Sequence, residues 1–590
     1  FCELLRYRLR YPFVPTYVGA QSVSHLRLAL HPNTLVLNSM KYQKYFSLAF
    51  WKKFYAQLGT KDKRLVTAGA SLVLISCVFL VTVSFFIGTL HPTRGGEFKE
   101  GLVGTSILKL NPVLASNENE DVLINLLYRG LFDIDSNGAI VPDLAESYEI
   151  QSGGAVWIVT LKDKLVWQDG TPLTSDDVVF TVNLIHDLEN RTPLQYSWQG
   201  VNVEKITERK IKFSIPNPYA FFLANLKLKI VPKHIFDSIP KENIALSPYS
   251  VKPIGSGAYQ VSSVITKRDG SLERYELKRV PTKEKAPYIE YVTFFFYETK
   301  TDALRALKFH QIDALANVEP EQTQSLSSSY NIFGIKRPLY YAAFLNPQNA
   351  PALKDVRVRE SLMLSTPQNH LIEKVLLGHG TPLDSPIPPP IKEGRETKYD
   401  TEEAKSLLSE AGWEDSDGDG IREKKKDRTQ KLSFTIVTPQ NSFLIETASI
   451  LVKSWAELGI GAKVEIVPLK DLEVNYIEPR KYDILLFGNV LDLQADPFSF
   501  WHSSQKFNPG RNLSLYQNKE VDKITEAIRE TIDPQERTSL YTRFENIIKN
   551  DAPVIFLYNP DYLYVVSKRI KNVSSKIITT PSERFSTIHE

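Results

Sequence analysis

One long apolar run, residues 65–90 (LVTAGASLVLISCVFLVTVSFFIGTL), constrains the fold of this chain more than any other feature, because it contains no charged residue. A helix rises about 1.5 Å per residue and a bilayer core is about 30 Å thick, so about 20 apolar residues suffice to cross it. The run is longer than a buried core helix needs, and polar residues flank it. It predicts one transmembrane helix, with the rest of the chain forming a separate folded module.

Charges around this run predict its orientation. Residues 1–64 carry 11 Lys and Arg against 2 acidic residues, whereas residues 91–590 carry 60 basic and 66 acidic residues. Positive flanks stay in the cytoplasm, so the N-terminus is predicted to be cytoplasmic and the bulk of the chain extracytoplasmic, either periplasmic or at the cell surface. The mildly acidic module argues against nucleic-acid binding, which needs a basic patch on the folded part.

The first residues and the cysteines leave two further expectations. Met40 precedes a basic stretch and is the expected native start, with residues 1–39 as upstream read-through or a fragment artefact. The two cysteines are Cys2 and Cys77, so the module is expected to contain no disulfide and no thiolate metal site. Residues 74–77 (LISC) fit a lipoprotein processing box, but 13 apolar residues follow Cys77. An uncleaved signal anchor is therefore favoured, with lipidation of Cys77 as the alternative.

Strand-like and helix-like segments alternate along the module. Strands are expected over residues 155–161, 210–215, 291–297, 464–468, 482–487 and 554–558, and helices after Thr174 and over residues 301–310, 401–411, 443–458, 520–531 and 534–550. This interleaving predicts α/β layers, and the length predicts at least two lobes joined by several short crossings that form a hinge. The Pro-rich residues 381–390 (TPLDSPIPPP) are expected to form a surface connection.

No catalytic pattern is found. The sequence contains no HExxH, GxSxG, GxxxxGK[ST] or strand-borne GxGxxG motif, and its ten histidines are scattered. We therefore expect that the chain is not an enzyme and that it requires no cofactor.

One acidic loop is a candidate cation site. Asp415, Asp417 and Asp419 occupy positions 1, 3 and 5 of a loop like that of an EF-hand, with Gly420 at position 6. Glu423 stands at position 9, whereas position 12, which is a bidentate Glu in an EF-hand, is a lysine. The three lysines at residues 424–426 would oppose a cation. A tight acidic surface turn is therefore favoured over a weak calcium site.

Four stretches together resemble a known family. They are residues 127–147 (LYRGLFDIDSNGAIVPDLAES), 157–182 (WIVTLKDKLVWQDGTPLTSDDVVFTV), 253–259 (PIGSGAY) and 496–518 (DPFSFWHSSQKFNPGRNLSLYQN). In this order they resemble the extracytoplasmic solute-binding proteins of family 5, which serve peptide, dipeptide and nickel ABC importers. The departures are small: Trp167-Gln168 replaces Phe-His, and Ala258 replaces Pro. The resemblance covers nearly the whole module.

The resemblance implies an α/β fold with two lobes, of the type II periplasmic-binding-protein class with an extra subdomain, behind one transmembrane helix. The expected division is a cytoplasmic tail over residues 1–64, the anchor over 65–90, a first lobe with an inserted subdomain over 91–339, a second lobe over 340–550 and a return to the first lobe over 551–590. Ligand would lie in the cleft, and the lobes would close over it by hinge motion.

The implied function is the capture of oligopeptides by a monomeric, membrane-anchored substrate-binding protein that delivers them to an ABC permease and its ATPase. Family binders meet the peptide amino group with an Asp, for which Asp492 and Asp496 are the candidates. The alternative for Asp496 is a cap of the turn before Pro497. The other expected ligand contacts are aromatic or polar residues at the entry to the second lobe and after the Asp-Pro segment: Tyr340, Tyr341, Phe344, Asn346, Trp501 and His502. Packing in the hinge or the core is the alternative for each of them. Two alternatives remain: another solute, such as a nickel chelate, haem or muropeptide, or a surface sensor receptor without transport.

Overall fold

The computed structural model describes residues 48–86, 95–106, 108–187, 192–281, 287–326, 328–491, 495–571, 573 and 576–585. The chain divides into two compact units, Phe1–Pro92 and Thr93–Glu590. The expectations for residues 1–39, Cys2 and Met40 lie outside the described residues.

The first unit contains two helices, α1 (Leu48–Gln57) and α2 (Thr60–Phe86). Helix α2 begins at Thr60 rather than at residue 65, and residues 87–90 of the expected span lie outside the described residues. Within its stretch Thr60–Thr82, an 18-residue window has a mean hydropathy of 2.3, so the stretch is long and apolar enough to cross a membrane. A signal sequence has the same properties, so membrane anchoring stays a prediction, as does lipidation of the exposed Cys77.

The second unit is mixed α/β. Its strands in chain order are β1 (Glu97–Val103), β2 (Phe132–Ile134), β3 (Ile140–Pro142), β4 (Ala145–Gln151), β5 (Val156–Leu161), β6 (Asn202–Thr207), β7 (Lys210–Ser214), β8 (Tyr259–Thr266), β9 (Leu272–Arg279), β10 (Tyr291–Tyr297), β11 (Ala314–Leu315), β12 (Tyr330–Ile335), β13 (Leu339–Leu345), β14 (Gly380–Pro382), β15 (Trp413–Glu414), β16 (Glu423–Lys424), β17 (Asp427–Lys431), β18 (Ser433–Pro439), β19 (Gly461–Val467), β20 (Ile484–Val490), β21 (Val554–Pro560) and β22 (Tyr562–Ser567).

The helices of the second unit cover the sheets that these strands form. In chain order they are α3 (Glu118–Leu127), α4 (Ser175–His186), α5 (Phe222–Asn225), α6 (Lys233–Phe236), α7 (Lys300–Lys308), α8 (Pro320–Thr323), α9 (Val356–Leu364), α10 (Gln368–Val375), α11 (Thr401–Glu410), α12 (Ser442–Ala456), α13 (Leu469–Leu472), α14 (Phe498–Trp501), α15 (Lys519–Glu530) and α16 (Pro534–Asp551). The expected strands and helices are all present, with shifts of a few residues at their ends.

Two large sheets organise the second unit. The first sheet has seven strands in the order β12-β22-β11-β1-β10-β9-β8, and the second has six in the order β14-β21-β13-β20-β18-β19. Strand β1 runs parallel to β10 and β11, and β18 runs parallel to β19 and β20. A four-stranded sheet, β4-β5-β7-β6, shares one apolar core with the first sheet, in which Trp157 and Tyr275 are both buried.

The second sheet is buried on both faces, and strand β13 shows how. Its side chains alternate between the two faces, as the period of two in a strand requires. Ala343 and Leu345 pack with Trp455 in one core, whereas Tyr340 and Phe344 pack into the other. A strand covered on both sides reads as a continuous apolar run, which is the pattern of LYYAAFL.

Two of the family-like stretches have local structural roles. Thr174 and Asp177 form the predicted capping box at the start of α4, because each side chain accepts a hydrogen bond from the other's backbone. In PIGSGAY, a Cβ atom on Gly255 would lie 1.9 Å from the Leu127 carbonyl oxygen, and one on Gly257 would lie 2.3 Å from that of Leu126. Both glycines are therefore required by close approach of the backbone to the end of α3.

The prediction of a surface connection over residues 381–390 is wrong. Strand β14 pairs with β21 at the edge of the second sheet, and Leu383 and Ile387 are buried in its core. The proline content indicated a connection between elements, but the two apolar side chains within the segment draw it against the sheet.

Candidate functional site

A cavity of about 410 Å³ opens at the carboxyl ends of β1 and β11 in the first sheet. Because these strands are parallel, their ends meet at one edge, where ligands bind in open α/β sheets. Its volume falls within the range of ligand pockets, about 300–1,000 Å³. The described lining residues come from the end of β1, the starts of α3 and α7, the end of β11 and the C-terminal segment: Gly101, Leu102, Val103, Gly104, Ser106, Leu108, Asn117, Glu118, Asn119, Lys300, Leu315, Ala316, Asn317 and Arg584.

A sharp turn after β1 shapes one wall of this cavity. Gly104 has a φ of +116°, a conformation that favours glycine, and its N–H donates to the Tyr297 carbonyl at 2.8 Å. The amide of Asn119 donates to the Val103 carbonyl at 2.9 Å and so joins the end of β1 to the first turn of α3. A Cβ atom on Gly104 would lie 3.2 Å from the Asn119 amide nitrogen. A larger residue would therefore disturb both the turn and this contact.

The start of α3 is fixed by a buried carboxylate. Asn117 caps the helix by accepting a hydrogen bond from the Glu120 N–H at 3.0 Å. The Glu120 carboxylate, which is 3% exposed, accepts the N–H groups of Lys109 at 2.8 Å and Ser116 at 2.7 Å. These bonds hold the middle and the end of the loop that leads from β1 to α3. Glu118 and Asn119 consequently face the cavity from a rigid support.

An ion pair lies beneath the cavity. Glu100 on β1 accepts hydrogen bonds from Arg584 Nε at 2.9 Å and from the Tyr564 hydroxyl at 2.8 Å, and both charged residues are almost fully buried. Burial lowers the pKa of Arg584, but the charge of Glu100 opposes this, and the net result is a raised pKa. The guanidinium therefore stays charged at the floor of the cavity.

The charged groups in the cavity wall have complementary signs. Lys300 lies in the first turn of α7, with its ammonium 3.4 Å from the Glu319 carboxylate. Glu118 accepts a hydrogen bond from the Tyr562 hydroxyl at 3.3 Å. A cation at a helix N-terminus adds to the positive end of the helix dipole, which favours an anionic ligand group at that position. The wall can thus accept a ligand with both a carboxylate and an amino group.

Two crossings between the sheets adjoin this cavity. The chain passes from β12 to β13 through residues 336–338 and returns from β21 to β22 through Asp561. Lys336 joins the crossings, because its ammonium pairs with Asp561 and donates to Thr381 Oγ1 at 2.7 Å. Arg337 lies 5.7 Å from the ring centroid of Tyr562, the same residue that donates to Glu118. The return lies at Asp561, later in the chain than the expected residue 551.

The aromatic residues predicted to contact ligand lie largely in the core. Tyr340 is 0% exposed, and its hydroxyl accepts a hydrogen bond from Asn489 at 2.9 Å. Tyr341 is half-buried, with its ring 5.0 Å from that of Phe443, and burial raises the pKa of its hydroxyl. Phe344 and Trp501 are buried in the same core of the second sheet. Tyr341 is therefore the most accessible of these four.

The polar residues predicted to contact ligand have partners within the protein. Asn346 is 1% exposed, and its amide donates to the Arg480 carbonyl at 2.9 Å. His502 Nδ1 lies 2.7 Å from the Ser504 hydroxyl, and its ring stacks 4.2 Å from that of Phe498. These bonds fix local structure, and contact of either residue with a ligand stays a prediction.

The two aspartates predicted to meet a peptide amino group differ in what the structure describes. Asp492 lies outside the described residues. Asp496 accepts the Phe498 N–H at 3.0 Å, pairs with Arg529 at 2.7 Å and accepts the Tyr219 hydroxyl at 3.3 Å. Its carboxylate therefore joins the segment before α14 to α15 and to the region before α5.

The acidic loop does not contribute to the cavity. Asp415, Asp417 and Asp419 lie between β15 and β16, in the three-stranded sheet β15-β16-β17, and one oxygen of each lies within 4.8 Å of the others and of a Glu423 oxygen. Among the described residues, this is the group of carboxylates whose spacing could hold a metal ion.

A family model described as bacterial extracellular solute-binding proteins, family 5 Middle, matches residues 139–511. The oligopeptide-binding protein AppA of Bacillus subtilis is 28% identical over 487 residues, which cover 80% of this chain and 87% of AppA.

Solved structures agree with this match. The structure of Bacillus subtilis AppA in complex with a nonapeptide has a TM-score of 0.63 and 25% identity, covering 85% of this chain and 99% of that one. The ABC transporter substrate-binding protein CtaP of Listeria monocytogenes has a TM-score of 0.71 and 26% identity, covering 84% and 99%. NikZ of Campylobacter jejuni in complex with Ni(L-His) has a TM-score of 0.65 and 26% identity, also covering 84% and 99%. The chain therefore belongs to the bacterial extracellular solute-binding proteins of family 5.

Proposed function

We propose that this protein captures oligopeptides in a cleft between two lobes and delivers them to an ABC importer. The observation that carries the proposal is a cavity in the first lobe, at the carboxyl edge of the first sheet. It contains charged groups of both signs and lies beside the two crossings to the second sheet, so the second lobe would close over it. The role is capture, closure and delivery, with no chemical step.

The lobes follow from the two large sheets. The first lobe comprises the first sheet and the four-stranded sheet, and the second comprises the second sheet with its covering helices. The crossings at residues 336–338 and Asp561 form the hinge, held by the Lys336–Asp561 pair. Short crossings allow rotation of one lobe against the other, which gives the importer a distinguishable bound state.

Two arguments favour a peptide as the ligand. AppA of Bacillus subtilis, which aligns with 80% of this chain, is named as an oligopeptide-binding protein. The described lining residues also offer amide, hydroxyl, carboxylate and ammonium groups, which match the backbone and termini of a peptide. We assign Lys300 to the peptide carboxylate and Glu118 to its amino group. Asp492 and Tyr341 remain the predicted contacts from the second lobe.

A nickel chelate is the second candidate, because NikZ was solved with Ni(L-His). The described lining residues of the cavity include no His or Cys, the ligands that nickel prefers. This composition favours the peptide.

Helix α2 supplies the proposed attachment. Its length and composition suit a signal anchor that holds the protein beside its permease on the extracytoplasmic side. A fixed anchor keeps the binding protein near its partner without a further interface, so we propose that the protein acts as a monomer with the permease and ATPase as partners.

The decisive experiment identifies what the protein carries. The full chain is purified in detergent without added ligand and denatured, and the released small molecules are identified by mass spectrometry. A thermal-shift series with di- to pentapeptides and a nonapeptide follows. We expect peptides in the released fraction and a rise in melting temperature with peptide. A released nickel complex, or the absence of any shift with peptides at millimolar concentration, would contradict the proposal.

A further inference from the structure

A hairpin away from the proposed cleft concentrates negative charge. Strands β15 and β16 pair in antiparallel register, Trp413 with Lys424 and Glu414 with Glu423. The chain between them therefore doubles back and returns Glu423 beside the start of the loop. As a result, one carboxylate oxygen from each of Asp415, Asp417, Asp419 and Glu423 lies within 4.8 Å of the others.

Glu423 is the unusual member of this group. It is 3% exposed, whereas the three aspartates are exposed. Its Oε2 accepts the N–H and the hydroxyl of Ser416, each at 3.0 Å. Its Oε1 is buried and has no hydrogen-bond partner among the described residues. Buried carboxylate oxygens are almost always partnered, because an unpartnered one loses its hydration without compensation. This buried oxygen is therefore available to a positively charged ligand.

The neighbouring lysines, expected from the sequence to oppose a cation, mostly point elsewhere. Lys424 donates to the Ala411 carbonyl at 2.7 Å and lies 4.7 Å from the ring centroid of Trp413. Lys425 pairs with Glu414 at 2.9 Å. Two of the three lysines are therefore held away from the acidic loop by contacts of their own.

Lys431 is the cation that meets the loop. It is the strand partner of Glu423, and its ammonium contacts Asp419 and lies 3.6 Å from Asp417. The Lys431 side chain is long and partly exposed, so its ammonium can move out to solvent. One ammonium also balances only a quarter of the four carboxylate charges. The loop is thus arranged for a cation of higher charge, with Lys431 as its competitor.

We propose that Asp415, Asp417, Asp419 and Glu423 bind a calcium ion. All four donors are oxygens, which hard divalent cations prefer. Calcium–oxygen distances of about 2.3–2.6 Å allow two ligands of one ion to lie up to about 4.6–5.2 Å apart. Four oxygens that all lie within 4.8 Å of one another can therefore share one calcium ion. Magnesium demands near-ideal octahedral geometry at about 2.0–2.1 Å and retains several water ligands, so a group of four protein carboxylates suits it less. Glu423 at position 9 replaces the glutamate that an EF-hand has at position 12.

Calcium binding would stiffen a hairpin that Arg422 already attaches to the second sheet. Arg422, within the same loop, donates to the Leu458 carbonyl at 2.7 Å and to the Trp413 carbonyl at 2.8 Å. The loop is therefore already attached to the segment that follows α12. Extracellular calcium modules bind with Kd values of about 10⁻⁴ to 10⁻³ M, which suits a family that works outside the cell.

Calorimetric titration of the chelator-treated full chain in detergent with calcium chloride tests the proposal. We expect one site that D417N and E423Q each weaken at least about tenfold, and that magnesium fills at least about tenfold more weakly. The matched control is D269N, because Asp269 is an exposed turn aspartate whose Oδ1 accepts the Ser271 N–H at 2.9 Å without other carboxylates in the turn. D269N should bind calcium like the wild type.

K431Q separates a calcium site from a structural ion-pair cluster. If the loop binds calcium, removal of the competing ammonium should strengthen binding severalfold. If the cluster is structural, K431Q lowers the melting temperature and calcium does not restore it. Asp417 is exposed, so D417N tests the site even where E423Q fails to fold. No calcium uptake by the wild type at about 10 mM, or equal uptake by the wild type and D417N, would overturn the proposal.

Discussion

Polar groups are exposed to a cavity at the carboxyl edge of the first sheet, whereas those of strand β13 in the second sheet are buried. At the first-sheet edge, Glu118, Asn119 and Lys300 line an open cavity. On β13 and just after it, Tyr340 and Asn346 are buried and bond to partners within the protein. The same residue types can therefore make ligand contacts or structural contacts. Burial on both faces of a strand decides which of the two roles a residue has.

The two regions should therefore respond differently to substitution. Changes in the core of the second sheet should alter the free energy of unfolding and leave ligand affinity unchanged in the protein that remains folded. Changes of the exposed charges in the cavity wall at the first-sheet edge should do the reverse, whereas the buried pair of Glu100 and Arg584 at its floor should respond like the core.

Trp501→Ala should have the largest effect on stability. The ring is 2% exposed and packs against Tyr516, Phe544 and Phe556, with centroid distances of 6.1, 5.9 and 6.2 Å. Truncation of a buried aromatic leaves a cavity and costs about 3–5 kcal/mol. Chemical denaturation measures the loss, and Tyr196→Ala, at an 87% exposed tyrosine, is the control with little expected change. An unchanged denaturation midpoint with lost peptide binding would instead make Trp501 a ligand contact.

Arg584→Met should lower the free energy of unfolding by about 3 kcal/mol, because it leaves the Glu100 carboxylate buried without its ion partner. The double variant Glu100→Gln with Arg584→Met should recover part of this loss, since no uncompensated charge then remains. Arg543→Met is the matched control, because Arg543 pairs with Glu520 at 2.7 Å on the surface. Surface pairs contribute about 0.2–1 kcal/mol. Equal losses for the buried and surface variants would contradict the role given to Glu100.

Much of the fold could be predicted from the sequence, and the site could not. The capping box at Thr174 and the helix after it follow from local chemistry. Strand β1, EFKEGLV, carries Glu100 where a core strand normally has an apolar residue, because Arg584, 484 residues later, neutralises that glutamate. No local pattern reveals such a partner. The cavity lies at the end of this strand, so the apolar pattern that identifies a core strand is interrupted at the site itself.

The aromatic residues show the other limit of the sequence. Tyr340 and Trp501 are residue types that bind ligands well, but a strand with apolar residues at every position indicates burial on both faces. That signal is present in LYYAAFL and favours the core over the cleft.

Lys336→Met tests the join between the two regions. Loss of the ammonium leaves Asp561 without its ion partner and removes the bond to Thr381. Because these groups are partly exposed, we expect a loss of about 1–2 kcal/mol in the free energy of unfolding. The looser hinge should also weaken peptide binding, because closure of the lobes then costs more conformational entropy. Denaturation and calorimetric titration measure the two effects. Lys405→Met, at an exposed helical pair with Glu402, is the control. Unchanged affinity would remove Lys336 from the hinge.

Lys300→Gln should have the smallest effect on stability and a clear effect on binding. A lysine in the first turn of α7 opposes the helix dipole, so its replacement should change the free energy of unfolding by less than about 0.5 kcal/mol. If Lys300 meets the peptide carboxylate, the loss of a charge-assisted bond should raise the Kd about tenfold. A peptide with an amidated C-terminus should bind the wild type about tenfold more weakly than the free acid, whereas Lys300→Gln should bind both peptides equally. If the variant still prefers the free acid by the full factor, another cation meets the carboxylate, and the first-sheet edge does not hold that end of the ligand.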